Sequence, residues 1–363
     1  MFRYIYLGGI IFALTSKAGE NREEPKSPKL AETIEYQLEK SQRISSVNWV
    51  GIDSSGSYLA SHYSVVKQSS KNPISFLSIW KGVPRKHLFT LALGESVVLP
   101  SYGSPAGFDT KGERFIIATE VGLIIGELKK PQESKSIPLP RRKGTLFPLV
   151  TFLYINPNGK DVSRLSYSLA SGLMLTDRVT LGTRPEWDGT TSIMEMPLSS
   201  SLVVSTKSFA NSVSKADRRA AAQEIQVRSL GKGDVKHLTT SVPSKSVSSL
   251  ALSNDDKHCA AGFTDGWMRL WDTKIAKETE AVSITRSQIS SIAIDPSSEL
   301  LALGSFDHGG KANVWVYSIK DNRLLGSWPD NQDGTQRLSF SPDGKTLLVS
   351  SSAAIHLYIL PIR

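Results

Sequence analysis

The sequence predicts an all-β fold, a seven-bladed β-propeller of four-stranded blades. The first observation is a repeat in the last third of the chain, in which Ser249, Ser291 and Leu338 occupy matching places, 42 and 47 residues apart. This spacing is close to the roughly 40–45 residues that one propeller blade requires. The second observation is the even spread of 27 glycines and 18 prolines, which suits many short strands joined by turns.

The three best copies of the repeat each contain short apolar stretches separated by turn residues. In the first copy, residues 254–257 and 264–266 are rich in Asn, Asp and Gly, which favour tight turns. Four strands in about 38 residues are typical of one blade. The predicted strands of the three copies are 247–253, 258–263, 267–272 and 278–284, then 289–294, 300–305, 313–317 and 323–328, then 336–340, 346–351 and 355–360.

The segment Thr264–Asp272, with the sequence TDGWMRLWD, resembles the signature of the WD-repeat family. The resemblance implies that Asp265 is the tight-turn aspartate and Trp271 the third-strand tryptophan of the hydrogen-bonded tetrad of that family. Asp307 and Trp315 resemble the same pair in the next copy. The Gly-His dipeptide of the family is absent, so the tetrad is expected to be incomplete. The family serves mostly as a docking platform, and the resemblance implies the same role here.

Weaker copies are predicted between residues 44 and 240. Turn sequences of Asp, Asn, Ser and Gly recur at Asp53–Gly56, Asp109–Gly112 and Asn156–Gly159, next to short apolar stretches. Residues 32–363 number 332, and division by seven gives about 47 residues per blade.

The last copy ends after its third strand, so its fourth strand has to come from elsewhere. Residues 32–39 alternate polar and apolar side chains just before the first copy. We therefore expect this segment to pair with the last blade and close the ring, which removes an exposed sheet edge. Residues 19–31, rich in Lys, Glu and Pro, are predicted to be a flexible linker.

The N-terminal residues have the pattern of a cleaved signal peptide. Arg3 is followed by the apolar run Tyr4–Leu14, and the small residues Ser16 and Ala18 predict cleavage after Ala18. The apolar run is shorter than the roughly 20 residues that span a bilayer. A secreted or periplasmic protein is therefore expected, with a buried N-terminal strand or a retained cytoplasmic segment as the alternative.

A single cysteine, Cys259, excludes an internal disulfide and is predicted to be a small buried hydrophobic residue. The formal charge of +9 falls to +7 when Arg3 and Lys17 are removed with the signal peptide. This excess favours an acidic partner only weakly, because a solvated basic surface explains it equally well.

Two predicted insertions between second and third strands, residues 62–75 and 207–223, carry basic side chains. The candidate partner-binding residues there are Lys67, Lys71, Lys215, Arg218 and Arg219. Ser214–Asp217 has the form of a capping box, which predicts a short surface helix. In the WD-repeat family such insertions share one face, so an acidic protein or polymer is the predicted partner.

Two further candidates lie in predicted connections between blades. Arg141, Arg142 and Lys143 form a basic cluster, for which a charged turn is the alternative. Trp187 is a candidate exposed ligand platform. Nucleic acid is disfavoured because aromatic residues do not alternate with the basic ones.

Catalytic patterns are sparse in this sequence. The six histidines show no metal-ligand spacing, and no glycine-rich phosphate loop is present. We therefore expect no catalytic, metal or cofactor site, and a monomeric, non-catalytic binding scaffold. The alternative is an exported propeller hydrolase or lyase with its site at the central channel. Small neutral residues at the channel mouth favour the scaffold, whereas clustered carboxylates or a histidine beside a buried acid favour the enzyme.

Overall fold

A computed structural model describes residues 28–67, 73–95, 106–109, 111–118, 122–138, 149–155, 161–168, 174–180, 187–191, 202–207, 224–229, 235–238, 247–305, 313–329 and 335–361. These residues form seven antiparallel sheets, six with four strands and one with three. The prediction of an all-β protein is therefore confirmed, and each four-stranded sheet has the form of a propeller blade. No helix that could cross a membrane occurs in the described part of the chain.

The last third of the chain forms three of these sheets, and the predicted strands match to within one or two residues. The first has strands β17 to β20: Val247–Leu252, His258–Phe263, Trp267–Asp272 and Lys277–Ser283. The second has β21 to β24: Ile289–Ile294, Leu300–Ser305, Asn313–Ser318 and Arg323–Pro329. The third has β25 to β27 and the N-terminal strand β1: Arg337–Phe340, Thr346–Ser350, Ala354–Ile359 and Lys29–Glu35.

The remaining strands form four sheets. Strands β2 to β5 are Gln42–Ile52, Tyr58–Lys67, Ile74–Lys81 and Lys86–Glu95. Strands β6 to β9 are Ala106–Phe108, Arg114–Ala118, Gly122–Glu127 and Lys130–Pro138. Strands β10 to β13 are Leu149–Ile155, Asp161–Ser168, Met174–Thr180 and Trp187–Thr191. Strands β14 to β16 are Leu202–Lys207, Glu224–Ser229 and Val235–Leu238.

The prediction of an insertion at residues 62–75 is wrong. Strand β3 continues through His62 to Lys67, and β4 already begins at Ile74. His62 pairs with Leu77 and Val65 with Ile74 across the two strands. The prediction failed because this segment carries polar residues, and hydrogen bonds between neighbouring strands accommodate them inside the sheet.

The N-terminal strand β1 pairs antiparallel with β27, the third strand of the last sheet. It begins at Lys29 and ends at Glu35, earlier than the predicted 32–39. Beyond the strand, the Tyr36 side chain packs on Tyr63 and Trp80 of the β2–β5 sheet, and its hydroxyl lies 3.0 Å from Ser61 Oγ. The N-terminal segment therefore joins the last sheet to the first.

Five sheets share one turn between their first and second strands. A buried Asp or Ser at its first position accepts backbone N–H groups from the start of the second strand, as Asp295 does from Leu300 at 2.7 Å. The fourth residue of each turn has a positive φ. These first and fourth positions are Asp53 and Gly56, Asp109 and Gly112, Ser253 and Asp256, Asp295 and Ser298, and Ser341 and Gly344. The turn residues that the sequence predicted therefore have a definite structural role.

Hydrophobic clusters lie between neighbouring sheets. One cluster joins β17–β20 to β21–β24 through side chains that include Leu270, Leu303 and Tyr317. The first strands of successive sheets also contact each other in the series β10, β6, β2, β25, β21 and β17, and β14 contacts β17. The sheets therefore pack face to face, with their first strands next to one another.

Candidate functional site

The first strands β2, β25, β21 and β17 lie side by side. We call the end of the sheets at which β25, β21 and β17 begin the upper face. Ser248 Oγ at the start of β17 donates to the carbonyl oxygen of Ile289, the first residue of β21, at 2.8 Å. Ser290 Oγ repeats the contact one sheet further on and donates to Thr335 O at 2.6 Å. Each of these hydroxyls therefore links two neighbouring sheets through a backbone carbonyl oxygen.

Glycine permits the close approach of these sheets. A Cβ atom on Gly262 would lie 2.5 Å from Ile289 Cγ2, and one on Gly304 would lie 2.5 Å from Thr335 Cγ2. Both glycines occupy the same place in successive sheets, since Gly262 pairs with Ser249 and Gly304 with Ser291. A larger residue at either position would separate the neighbouring sheets.

Gln336 and Arg337 complete the junction between the last and the first sheet. Gln336 Oε1 accepts a hydrogen bond from Val47 N at 2.5 Å, and Arg337 Nε donates to Asn48 O at 3.1 Å. Burial lowers the pKa of Arg337 to about 10, so the guanidinium remains charged at neutral pH. We call Asn48, Ser248, Ser290, Gln336 and Arg337 the polar junction.

A hydrogen-bonded chain leads from the polar junction across the β2–β5 sheet. Asn48 Nδ2 donates to Ser64 Oγ at 3.2 Å, and Ser64 Oγ lies 3.2 Å from Ser75 Oγ. His62 lies two residues from Ser64 and therefore on the same face of the strand. Its Nδ1 atom has no hydrogen-bond partner among the described residues, and burial lowers the pKa of His62 to about 4.

The polar junction offers hydrogen-bonding groups and one positive charge, the guanidinium of Arg337. It comprises hydroxyls, amides and a guanidinium, and these groups form the hydrogen bonds that join neighbouring sheets. The described residues contain no group of three His, Cys, Asp or Glu side chains placed to hold a metal ion. Cys259 is fully buried, as predicted, and burial raises the pKa of its thiol.

The signature segment forms a tight turn and a buried strand. Asp265 Oδ1 accepts a hydrogen bond from Trp267 N at 3.4 Å, and Trp271 is fully buried. Gly266 has φ +82° and its carbonyl oxygen accepts from Ile284 N at 3.0 Å. A Cβ on Gly266 would lie 2.1 Å from Thr285 O, so this turn requires glycine.

The pairing of the next sheet corrects the position of the second tryptophan. Trp271 lies opposite Cys259, and the residue in the corresponding place of β23 is Tyr317, opposite Leu301. Trp315 corresponds instead to Arg269. Residues two apart share one face of a strand, so the sequence could not distinguish Trp315 from Tyr317. Asp307 lies outside the described residues.

Sequence reasoning missed a buried ion pair in the β17–β20 sheet. Arg269 is 1% exposed, its Nη1 lies 2.6 Å from Glu278 Oε1, and the Phe263 and Trp267 rings flank its guanidinium. Arginine on a strand whose other inward residues are tryptophans is a weak signal. Only the pairing of β19 with β20 shows that Glu278 is within reach.

The other predicted partner-binding residues have different outcomes. Lys67 ends β3, has a side chain 41% exposed and lies 3.9 Å from Glu39. Trp187 begins strand β13 and pairs with Val179, so the prediction that it lies in a connection between blades is wrong. The pattern WDGTT gave no strand signal because Gly189 interrupts it. Lys71, Arg141, Arg142, Lys143, Lys215, Arg218 and Arg219 lie outside the described residues.

The predicted insertion 207–223 begins at the last residue of β14. Lys236, near the start of β16, donates to Thr273 O in the turn between β19 and β20, and this turn lies at the end of the sheets opposite the upper face. The start of β16 therefore lies at that opposite end. Strands β14 and β16 run in the same direction, since both pair antiparallel with β15. Strand β14 therefore runs towards the upper face and ends there at Lys207. Residues 208–223, including the predicted helix, lie outside the described residues.

Comparison with known families identifies part of the chain. The family model described as "WD domain, G-beta repeat" matches residues 235–272. The match covers strands β16 to β19 and therefore includes Asp265 and Trp271, from which the resemblance to this family was inferred.

Proposed function

We propose that this WD-repeat protein, identified by the match over residues 235–272, is an exported, non-catalytic scaffold that binds a partner on its upper face. The observation that carries the proposal is the WD repeat itself, because such repeats typically mediate contacts between proteins. The polar junction supports this role by holding neighbouring sheets together, which keeps the upper face in one fixed arrangement.

The scaffold in this proposal is a closed ring of seven blades. The contacts between first strands support it, since they run without interruption from β10 through β6, β2, β25 and β21 to β17, and strand β14 also contacts β17. The ring closes when the β10–β13 and β14–β16 sheets are neighbours. In a closed ring the inner edges of the blades face the central channel, which leaves only short, protected edges.

Strand β1 is the element that closes this ring at the junction of the last and first blades. Besides its pairing with β27, it places Glu32 Oε1 2.5 Å from the backbone N of Arg85, in the turn between β4 and β5. Burial lowers the pKa of Arg85, and Glu32 opposes that effect. These contacts fix β1 to two sheets at once, as ring closure requires.

The partner in this proposal is an acidic protein or polymer. Arg337 in the polar junction, Lys67 at the end of β3 and Lys207 at the end of β14 give the upper face basic groups. The segment 208–223 adds Lys215, Arg218 and Arg219 next to Lys207 in the sequence. Basic groups on one face speed association with an acidic partner and make it sensitive to salt.

The test is capture of the partner by the full chain, comparing the wild type with the Arg218→Glu/Arg219→Glu variant. A matched control, Lys320→Glu/Arg323→Glu, changes the charge equally in the turn between β23 and β24, at the other end of the sheets. We expect the first variant to lose binding about tenfold, more strongly at low salt, and the control to bind as the wild type. Equal binding by all three proteins contradicts the proposal for this face.

Export is the part of the proposal that rests on the N-terminal pattern Arg3, Tyr4–Leu14 and Ala18. Mass measurement of the protein purified from its producing cells tests it. We expect the mature chain to begin at Gly19. A chain that retains Met1 together with the apolar run shows that the protein is not processed as a cleaved secretory precursor.

A further inference from the structure

The exposed large hydrophobic side chains of the described residues share one end of the sheets. We call this end the lower face, opposite the upper face. All six lie within three residues of a turn between third and fourth strands, or at the matching ends of β27 and β1. They are Leu30, Val83, Leu88, Ile275, Leu324 and Ile359. Single exposed hydrophobic residues are ordinary, but their concentration at one face indicates an interaction surface.

The most exposed of them, Val83, lies at the tip of a firmly held turn. Val83 is 83% exposed. The guanidinium of Arg85 donates to Gly56 O at 3.2 Å and to Gly82 O at 3.2 Å, which fixes the turn against the sheet. Gly82 has φ +88°, which favours glycine at this position. The sequence and the contacts therefore hold Val83 outward.

The second tip, Ile275, is held outward in the turn between β19 and β20. Ile275 is 66% exposed. Asp272 Oδ1 accepts hydrogen bonds from Lys274 N at 2.8 Å and Ile275 N at 3.2 Å. Lys236 Nζ supports the turn from the neighbouring sheet through Thr273 O.

The fold itself does not require a hydrophobic residue at this tip. In the next sheet the corresponding turn has the same shape, because Ala276 has φ 54° and Asn322 has φ 53°. The residue in the place of Ile275 is Asp321, one position before Asn322. The apolar tip is therefore a property of this particular turn, and the fold accepts a charged residue there.

Lysines frame both tips. Lys81 and Lys86 flank Val83, Lys274 and Lys277 flank Ile275, and all four are exposed. An apolar side chain between cationic ones suits an anionic lipid surface, because the apolar group enters the acyl boundary while the ammonium groups meet the headgroups.

The start of the described chain is on the same face. Strand β1 begins with Lys29, which pairs with Ile359 at the lower end of β27. The apolar run Tyr4–Leu14 precedes it in the sequence. Strand β1 therefore adds the exposed Lys29 to the lower face, next to Leu30.

We propose that the lower face rests on a membrane surface rich in anionic lipids, with Val83 and Ile275 entering the acyl boundary and Lys81, Lys86, Lys274 and Lys277 contacting the headgroups. The upper face then points away from the membrane and stays open to the partner. This inference goes beyond the scaffold function and does not depend on it.

The first test places a fluorescent label at each tip. Val83→Cys and Ile275→Cys, made in the full chain, carry an environment-sensitive dye, and Cys259 does not compete because it is fully buried. With vesicles of phosphatidylserine and phosphatidylcholine, we expect a blue shift and a severalfold rise in emission at both tips. The control Gln288→Cys, at an exposed position between β20 and β21 on the upper face, is expected to show neither.

This design separates the lower face from the N-terminal segment. If the protein sediments with the vesicles while both labelled tips emit as in buffer, another part of the chain binds and the proposal is overturned. Failure of the protein to bind the vesicles at all overturns it equally. Capture of the partner through the upper face is measured separately, so the two proposals can fail independently.

The second test removes the apolar tips. We expect Val83→Asp/Ile275→Asp to bind anionic vesicles about tenfold more weakly, since each buried aliphatic side chain contributes to partition. Ile275→Asp copies the residue that the next sheet has, so the fold is expected to tolerate it. Gln288→Asp adds a negative charge at the upper face and serves as the matched control. Unchanged vesicle binding by the double variant contradicts the proposal.

Discussion

The β2–β5 and β17–β20 sheets each bury an ionisable base between sheets, and they do so in opposite ways. His62 lies beside Leu77 in β4, and burial lowers its pKa to about 4, so it is buried in its neutral form. Arg269 is instead buried in an ion pair with Glu278, and the centres of the Phe263 and Trp267 rings lie 5.6 and 5.7 Å from its guanidinium carbon. A buried base is therefore tolerated either without its charge or with a partner for it.

The two sheets also differ in their first turn. Asp53 accepts the backbone N–H of Tyr58 at 2.6 Å with a carboxylate, whereas Ser253 accepts that of His258 at 2.9 Å with a hydroxyl. The same backbone shape is thus held by a charged acceptor in one sheet and by a neutral one in the other. These differences give three predictions on the free energy of unfolding, and a fourth extends the comparison of first turns to the β21–β24 sheet.

The largest effect is expected from breaking the ion pair of the β17–β20 sheet. Arg269→Ala leaves Glu278 without its buried partner and is expected to lower the free energy of unfolding by about 3–5 kcal/mol. Urea denaturation measures it. Arg286→Ala, at an exposed position after β20, is the control and is expected to have little effect. A loss at Arg269 no larger than that of the control contradicts a buried, paired charge.

The neutral base of the β2–β5 sheet predicts a pH dependence. The folded pKa of His62, about 4, lies below its ordinary value of 6.5, so the unfolded chain takes up the proton first as the pH falls. Stability is therefore lost between about pH 6.5 and pH 4, by about 3 kcal/mol in total. Urea midpoints at pH 7 and pH 5 measure the part of this loss that occurs above pH 5, about 2 kcal/mol. The His62→Leu variant is expected to lose less stability between pH 7 and pH 5 than the wild type. If both proteins lose stability equally, His62 is not the source of the pH dependence.

The two first turns are expected to differ in the cost of losing the acceptor. Asp53→Ala removes a buried carboxylate acceptor and should cost about 2 kcal/mol, whereas Ser253→Ala removes a hydroxyl and should cost about 1 kcal/mol. Thermal unfolding of the two variants gives the comparison. Asp53→Ser, which copies the acceptor of the other sheet, is expected to recover part of the loss. The reverse order of the two alanine variants is inconsistent with charge as the difference.

The smallest effect concerns the fourth residue of this turn, which is Gly56 in the first sheet and Ser298, with φ 62°, in the β21–β24 sheet. Ser298→Gly relieves the backbone strain and is expected to raise the free energy of unfolding by about 0.5–1 kcal/mol. Gly56→Ser introduces that strain and should lower it by a similar amount. Denaturant midpoints of both variants measure the effect, and a decrease for Ser298→Gly contradicts the role given to φ.

The sequence predicted the strands and turns best where side-chain periodicity and turn chemistry agreed. In residues 247–360 both signals were present, and the strands follow the prediction closely. In the β2–β5 sheet the polar residues His62, Ser64 and Ser75 concealed two strand extensions, because their hydrogen bonds form only between neighbouring strands. A pattern along one chain cannot show a partner on another strand.

The candidate site was less predictable for the same reason. The polar junction brings together Asn48, Ser290 and Arg337, which are far apart in the sequence and individually unremarkable. Their place follows from the packing of first strands, which no local pattern encodes. Arg269 was missed because its ion pair depends on a strand pairing, and Trp315 was misplaced because residues two apart on a strand share one face.

The central claim is that seven sheets form one closed ring, joined by β1, with the polar junction at one face. An experimental structure of the full chain by crystallography or electron cryo-microscopy tests it most directly. The account predicts seven blades around a single axis, with the β10–β13 and β14–β16 sheets as neighbours and β1 paired with β27. An open arc, or a ring with a different number of blades, would contradict it.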